Sequence, residues 1–184
     1  MNRCSHNEHP TRFVEQGVWM PEYKTVFGSL TNYEKGGVEV INDSPQNYVF
    51  SNIFDVANRS QPWEKVAVAK NMQYVIEAIR AEGESPWRIA AHDEFALVMD
   101  GKVTIDLLDP DSVTAEEGST GSVALDGEPS GKKMGRIVAT RGHMALLPAN
   151  RCYRMSASDA SLVLLQTIQG PDTVERWSTI CQTR

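Results

Sequence analysis

The chain lacks several features that define common classes of protein. Its 184 residues include only three cysteines, Cys4, Cys152 and Cys181, and this odd, widely spaced set excludes a disulfide framework and a CxxC zinc ribbon. No Lys/Arg cluster interrupts the formal net charge of −6, so a nucleic acid would find little to bind. No apolar run approaches the roughly 20 residues of a membrane helix, and the polar start lacks a signal-peptide core. These absences predict a cytoplasmic protein without nucleic-acid or membrane partners.

Short runs rich in β-branched and aromatic residues fill most of the chain, whose length fits one globular domain. One of them, residues 72–81, has helical propensity, but it is apolar on both faces and we interpret it as a buried strand. About ten such runs predict an all-β sandwich or barrel. The predicted strands are residues 38–41, 48–56, 65–69, 72–81, 94–100, 102–108, 136–140, 144–147, 151–156 and 161–168.

Residues 1–37 form an N-terminal arm without helical or strand periodicity, interrupted by prolines. The arm carries Trp19, Tyr23 and Phe27, and exposed aromatic side chains of this kind reduce solubility. We therefore expect the arm to dock on a surface. That surface belongs either to the body of the same domain or to a partner chain.

The barrel itself is predicted to span residues 38–170. Within it, residues 109–135 are rich in glycine and poor in large apolar side chains, so they predict a long surface loop. After it, residues 171–184 predict a short C-terminal helix and tail, because Asp172 and Glu175 have the spacing of a capping box.

Two segments, residues 92–108 and 141–155, resemble the two motifs of the cupin family. Glu94 and Gly101 stand at the E-x6-G spacing of the first motif, and Gly142 and Pro148 fit the opening of the second. The resemblance implies a cupin-type double-stranded β-helix, which is a jelly-roll barrel, flanked here by the N-terminal arm and the C-terminal helix.

The positions at which cupins carry their metal-binding histidines hold other residues in this chain. Arg88 and Ala90 stand six and four residues before Glu94, and Tyr153 replaces the histidine of the second motif. Phenol is a poor substitute for imidazole on Fe(II), so we expect no metal in this chain. His92 lies two residues before Glu94, on the same face of a strand. His92, Glu94 and Tyr153 are therefore candidates for contact with a substrate in the barrel cavity, or for a locally hydrogen-bonded polar cluster.

Residues 70–103, 131–155 and 164–181 look like the small subunit of the two-component hydroquinone 1,2-dioxygenases. The resemblance implies a hetero-oligomer, with two copies of each subunit, in which a larger catalytic cupin subunit carries Fe(II). The assembly would insert O2 into the ring of a small aromatic substrate, hydroquinone, to give 4-hydroxymuconic semialdehyde. This chain would then hold no catalytic residue and would support its partner, with Trp19, Tyr23 and Phe27 as contact candidates.

Two other functions remain open from the sequence. The chain could be a self-contained small-molecule-binding cupin, such as a sensor or a sugar-binding module, that uses His92, Glu94 and Tyr153. It could also be a stand-alone metal-dependent cupin enzyme with an unusual ligand set that includes Glu94.

Overall fold

The computed structural model describes residues 27–44, 50–116 and 118–180. Ten strands and two short helices lie in this part of the chain, and none of its helices is long and apolar enough to cross a membrane. In chain order they are α1 (Ile53–Asn58), β1 (Lys65–Asn71), β2 (Tyr74–Glu84), β3 (Arg88–Ala90), β4 (Glu94–Asp100), β5 (Lys102–Pro110), β6 (Ser122–Ala124), β7 (Gly131–Thr140), β8 (Met144–Leu147), β9 (Cys152–Ile168), β10 (Thr173–Val174) and α2 (Trp177–Ile180).

Strand β9 organises the sheet, because its 17 residues pair with four other strands. Its first residues pair antiparallel with β3 and β5, and its later residues pair antiparallel with β2 and β4. A strand shared in this way curls the sheet into a barrel. The all-β cupin prediction and the interpretation of residues 72–81 as a strand agree with this architecture.

Two apolar clusters lie on opposite sides of the sheet. The first fills the barrel and includes Ile105, Val163 and Leu165. The second lies outside, where α1 and Leu30 pack against Ala78 and Leu162 on the outer face. The Leu30 backbone N–H also donates to the Asp100 carboxylate at 2.8 Å, and this bond fixes the start of the described chain at the end of β4.

Several predicted elements differ from those in the structure. Of the predicted strand 48–56, residues 48–49 lie outside the described residues, and residues 50–56 do not form a strand. Asn52 accepts hydrogen bonds from the backbone N–H groups of Phe54 and Asp55 and so caps α1. Residues 38–41 form no strand either, and the predicted strands 151–156 and 161–168 are one continuous strand.

The prediction of a single loop over residues 109–135 is wrong, because β6 and the first half of β7 lie inside it. Backbone pairing with β5 forms β7, while its side chains from residue 131 to 136 stay exposed. A strand of this kind leaves no alternation of apolar residues in the sequence.

The C-terminal segment contains the predicted short helix, α2, but not the predicted capping box. Asp172 instead pairs with Arg88, and Glu175 pairs with Lys70 at 2.5 Å. Residues 173–174 form β10, parallel to β1, so part of this segment belongs to the sheet.

Candidate functional site

The alternation of strand side chains gathers polar groups at one end of the barrel interior. Glu94 begins β4 on the face that continues into buried Ala96, and Glu77 lies on β2 two residues before buried Ile79. Thr167 follows Leu165 on the inner face of β9 in the same way. Three strands that are distant in sequence therefore point polar side chains into one buried region.

Glu94 is fully buried, and both of its carboxylate oxygens accept hydrogen bonds from hydroxyl groups. The Tyr153 hydroxyl donates to Oε2 at 2.7 Å, and the Thr167 hydroxyl donates to Oε1 at 2.6 Å. Burial and the neighbouring Glu94 carboxylate raise the pKa of Tyr153 well above its ordinary value. The phenol therefore stays protonated and acts as a donor to Glu94.

His92 joins this cluster through Thr167 and does not contact Glu94 directly. Its Nε2 lies 2.9 Å from the Thr167 hydroxyl oxygen and 3.3 Å from the Ile168 backbone nitrogen. The other ring nitrogen, Nδ1, is buried without a hydrogen-bond partner. The structure thus brings His92, Glu94 and Tyr153 together, as one local network.

A buried ion pair lies beside this network, between Lys65 on β1 and Glu77 on β2. The Lys65 Nζ is 3.1 Å from Glu77 Oε2 and donates to the Ser122 hydroxyl at 3.0 Å, while the Thr173 hydroxyl donates to Glu77 Oε1 at 2.6 Å. Burial raises the pKa of Glu77, although the Lys65 ammonium acts in the opposite direction. Such a pair is tolerated only when its partners satisfy both charges.

Arg88 adds a second cation at the rim of this polar region. Its guanidinium donates to the hydroxyl of Ser122 at 3.0 Å and to the Ser122 carbonyl oxygen at 2.8 Å, and it also pairs with Asp172. Ser122 on β6 therefore links the Lys65 ammonium and the Arg88 guanidinium. Together these contacts hold the Arg88 side chain and β6 in position at the rim of the polar region.

Comparison with known proteins gives matches among solved structures only, since neither the family models nor the curated proteins match. A hydroquinone 1,2-dioxygenase from Sphingomonas sp. TTNP3, solved with 4-hydroxybenzoate bound, has a chain that is 52% identical, with a TM-score of 0.85. The match covers 89% of this chain and 99% of that one. The chain belongs to the hydroquinone 1,2-dioxygenase family. Its fold is therefore the predicted cupin fold.

Two chains of the hydroquinone 1,2-dioxygenase PnpCD also match. One, from the complex with Cd2+ and 4-hydroxybenzonitrile, is 48% identical with a TM-score of 0.83, and the match covers 88% of this chain and 98% of that chain. The other, from the complex with Fe3+, is 14% identical with a TM-score of 0.57, and the match covers 77% of this chain but 40% of that chain. The second likeness is one of fold alone.

The polar end of this hydroquinone dioxygenase chain does not fit an iron ion. Both Glu94 oxygens are bonded to hydroxyls, Tyr153 is held protonated, and Arg88 and Ala90 supply no ligand at the histidine positions of the cupin motif. Within the described ranges, no group of three or more His, Cys, Asp and Glu side chains could hold a metal. The Lys65 ammonium already provides positive charge in this region.

A cavity of about 20 Å³ opens beside the polar network and is lined in part by Trp63, Arg88 and Tyr153. This volume holds about one water molecule, whereas ligand pockets usually enclose about 300–1,000 Å³. Among the predicted cavity residues, Tyr153 lines the cavity, and His92 and Glu94 do not.

The predicted contact residues of the arm are placed only in part. Trp19 and Tyr23 lie outside the described residues, and Phe27 is 68% exposed at the start of the described chain. Sequence reasoning did not find Lys65 or Glu77 as members of the polar region. A signal for Glu77 was present, because a carboxylate stands between Val75 and Ile79 on an otherwise apolar strand face.

Proposed function

We propose that this chain is the metal-free small subunit of an Fe(II)-dependent extradiol-type dioxygenase that cleaves the ring of hydroquinone in the cytoplasm. A larger catalytic cupin subunit would hold the iron, and the product would be 4-hydroxymuconic semialdehyde. One observation carries the proposal. In a chain that spans almost the whole of a hydroquinone 1,2-dioxygenase chain, the end of the barrel that would bind metal is closed by hydrogen bonds to Glu94 and by the Lys65–Glu77 ion pair.

The two PnpCD chains support a partner of larger size. This chain matches nearly all of one PnpCD chain but only 40% of the other, which is therefore much longer and shares the fold. A longer cupin chain of that kind is the partner that we propose here, in a hetero-oligomer with two copies of each subunit.

The proposed role of this chain is to support and shape the catalytic subunit. The hydrogen bonds to both Glu94 oxygens and the Lys65–Glu77 ion pair are proposed to keep the polar end of the barrel closed without a metal. Trp19, Tyr23 and Phe27 of the arm are proposed contacts to the larger subunit, and His92, Glu94 and Tyr153 are proposed to maintain the shape of the barrel end. The alternative of a self-contained small-molecule-binding cupin gains no support from a cavity of about 20 Å³.

Iron content tests the proposal directly. The full chain is produced alone with Fe(II), and separately with the larger cupin chain, and both preparations are purified without oxygen. We expect substoichiometric iron and no hydroquinone cleavage for the chain alone, and both iron and cleavage for the pair.

Two variants distinguish specific iron from iron that binds to any carboxylate. Glu94→Ala removes the buried carboxylate of the cupin motif, and Asp106→Ala removes a carboxylate that pairs with Arg136 and Arg154 away from the barrel interior. About one iron per chain in the isolated protein, lost in Glu94→Ala and kept in Asp106→Ala, would contradict the proposal and would make this chain the metalloenzyme.

A further inference from the structure

Five large apolar side chains are exposed to solvent on the outer face of the sheet. They are Tyr74, Ile76, Phe95, Met144 and Leu146, which we call the outer strip, and they are between 36% and 64% exposed. In each of their strands the neighbouring side chains point inward and are buried. The outer strip is therefore a regular face of the sheet.

The register of the strands places the outer strip along one row that crosses four strands, with the exposed polar side chain of Gln166 within the row. Ile76 on β2 stands opposite Gln166 on β9, Gln166 stands opposite Phe95 on β4, and Phe95 stands opposite Leu146 on β8. Since neighbouring strands lie about 4.8 Å apart, this row crosses roughly 14 Å of sheet. Tyr74 and Met144 extend the strip on either side of the row, and none of its five side chains is charged.

The chain covers the adjacent part of the same face itself. Ala78 and Leu164 stand opposite each other, two residues along their strands from Ile76 and Gln166. They pack against Phe54 and Val56 of α1. The described residues supply no such cover for the outer strip, whose side chains remain exposed. The covered part indicates how this face of the sheet is stabilised, by an apolar layer that packs on it.

The size of the outer strip suits the centre of a protein interface. If a large side chain carries about 200 Å² of surface, the five exposed fractions correspond to apolar surface on the order of 500 Å². Apolar patches on monomers rarely exceed about 300–600 Å² and are often functional. A standard interface buries about 800 Å² per partner, of which about 65% is apolar at the core.

We propose that the outer strip is the surface that binds the larger cupin subunit, an inference that rests on the proposed function. The longer PnpCD chain contains a region of the same fold, so a partner of that kind has sheet faces of its own. Two sheets pack face to face at about 10 Å when both present apolar side chains. The five large side chains of the outer strip carry no charge, and such a surface fits an apolar sheet face of the larger subunit.

Binding of the full-length chain to the larger cupin subunit, measured by titration calorimetry, tests the inference. Leu146→Glu and Tyr74→Glu place a charge at two ends of the outer strip, on different strands. Met134→Glu is the matched control, because Met134 is also exposed but lies on β7, which pairs with β5 and with no strand of the strip. We expect both strip variants to weaken binding by about thirtyfold or more, and the control to bind as the unmodified chain does.

Circular dichroism of each variant establishes that it is folded before binding is compared. If Leu146→Glu fails to fold, Leu146→Ser is measured in its place. Unchanged binding of folded strip variants would overturn the inference and leave the proposed function intact. Failure of the unmodified chain to bind the larger subunit would overturn the proposed function itself.

Two other occupants of the outer strip are recognisable. A homodimer that Leu146→Glu dissociates, while the larger subunit still binds, would assign the strip to a second copy of this chain. Faster hydrogen exchange of β4 and β8 in the isolated chain after deletion of residues 1–26 would assign it to the arm. Either result would overturn the inference.

Discussion

On strands β2 and β4, the usual distribution of side chains is reversed. Charged side chains lie inside, at the polar end of the barrel, and large apolar side chains lie outside, on the outer strip. On β4, Glu94 points inward and is fully buried, while the next residue, Phe95, points outward into solvent. On β2, Glu77 and Ile76 show the same reversal. Charged side chains are seldom buried unless they are paired, and large apolar patches are seldom exposed unless they bind something. Inside the barrel, the buried charges are compensated by pairing within the chain, whereas the exposed apolar side chains would be covered by the partner that we propose.

The largest effect is expected when the internal pairing is broken. Lys65→Met leaves the Glu77 carboxylate buried without its cation, and we expect the free energy of unfolding to fall by about 3–5 kcal/mol. Urea denaturation of the isolated chain measures this. The double variant Lys65→Met/Glu77→Leu removes both charges and should recover most of the loss. A double variant as unstable as the single one would show that the two charges do not act as a pair.

Removal of one hydroxyl donor inside the barrel should have a smaller effect. Tyr153→Phe leaves Glu94 Oε2 without the hydrogen bond that it accepts at 2.7 Å, and we expect a loss of about 1–3 kcal/mol in stability. Tyr74→Phe removes a hydroxyl from the outer strip and serves as the control, with an expected change within about 0.5 kcal/mol. Equal losses for the two variants would contradict the difference between the regions.

The buried Glu77 carboxyl also predicts a dependence of stability on pH. Its pKa is raised in the folded state, so the folded chain binds its proton more tightly than the unfolded chain does. This contribution to stability is complete below the unfolded pKa, near 4.5, and is lost as the pH rises through the folded pKa. Glu77→Gln should remove this loss of stability at higher pH. The difference in the free energy of unfolding between Glu77→Gln and the unmodified chain should therefore change with pH. Parallel curves from urea titrations at several pH values would exclude a raised pKa.

The smallest effect is expected outside the barrel. Ile76→Thr keeps a β-branched residue on the outer strip and should change the stability of the isolated chain by about 0.5 kcal/mol or less. Ile79→Thr, on the same strand but inside the barrel, places a hydroxyl in the apolar core and should cost about 1–3 kcal/mol. Thermal unfolding of the two variants compares them directly, and similar midpoints would mean that Ile76 is already buried in the isolated chain.

The fold was predictable where strands carry apolar side chains. Strands β4 and β8 have the bounds that the sequence predicts, because the residues of each alternate between a buried and an exposed face. The start of β7 was not predictable, because its side chains are exposed and only its backbone pairs. Helix α1 was mistaken for a strand because its apolar residues also suit a sheet, and the Asn52 cap was overlooked.

The candidate site was predictable only where a motif marks it. The cupin spacing identified Glu94 and Tyr153, and the structure joins them by a hydrogen bond of 2.7 Å. Lys65 and Thr167 could not be found in this way, because they reach the site through the register of β1 and β9, and no local pattern encodes that register.

The length of β9 has a consequence for biosynthesis. Strands β2, β3, β4 and β5 all pair with β9, and the pairing of Tyr74 with Ile168 joins residues that are far apart in the chain. Contacts of such long sequence separation form slowly, because the loop between them must close first. On the ribosome, the earlier strands emerge before β9 exists to pair with them. The barrel can therefore close only after β9 has emerged, and until then the apolar faces of β2 and β4 are exposed to aggregation.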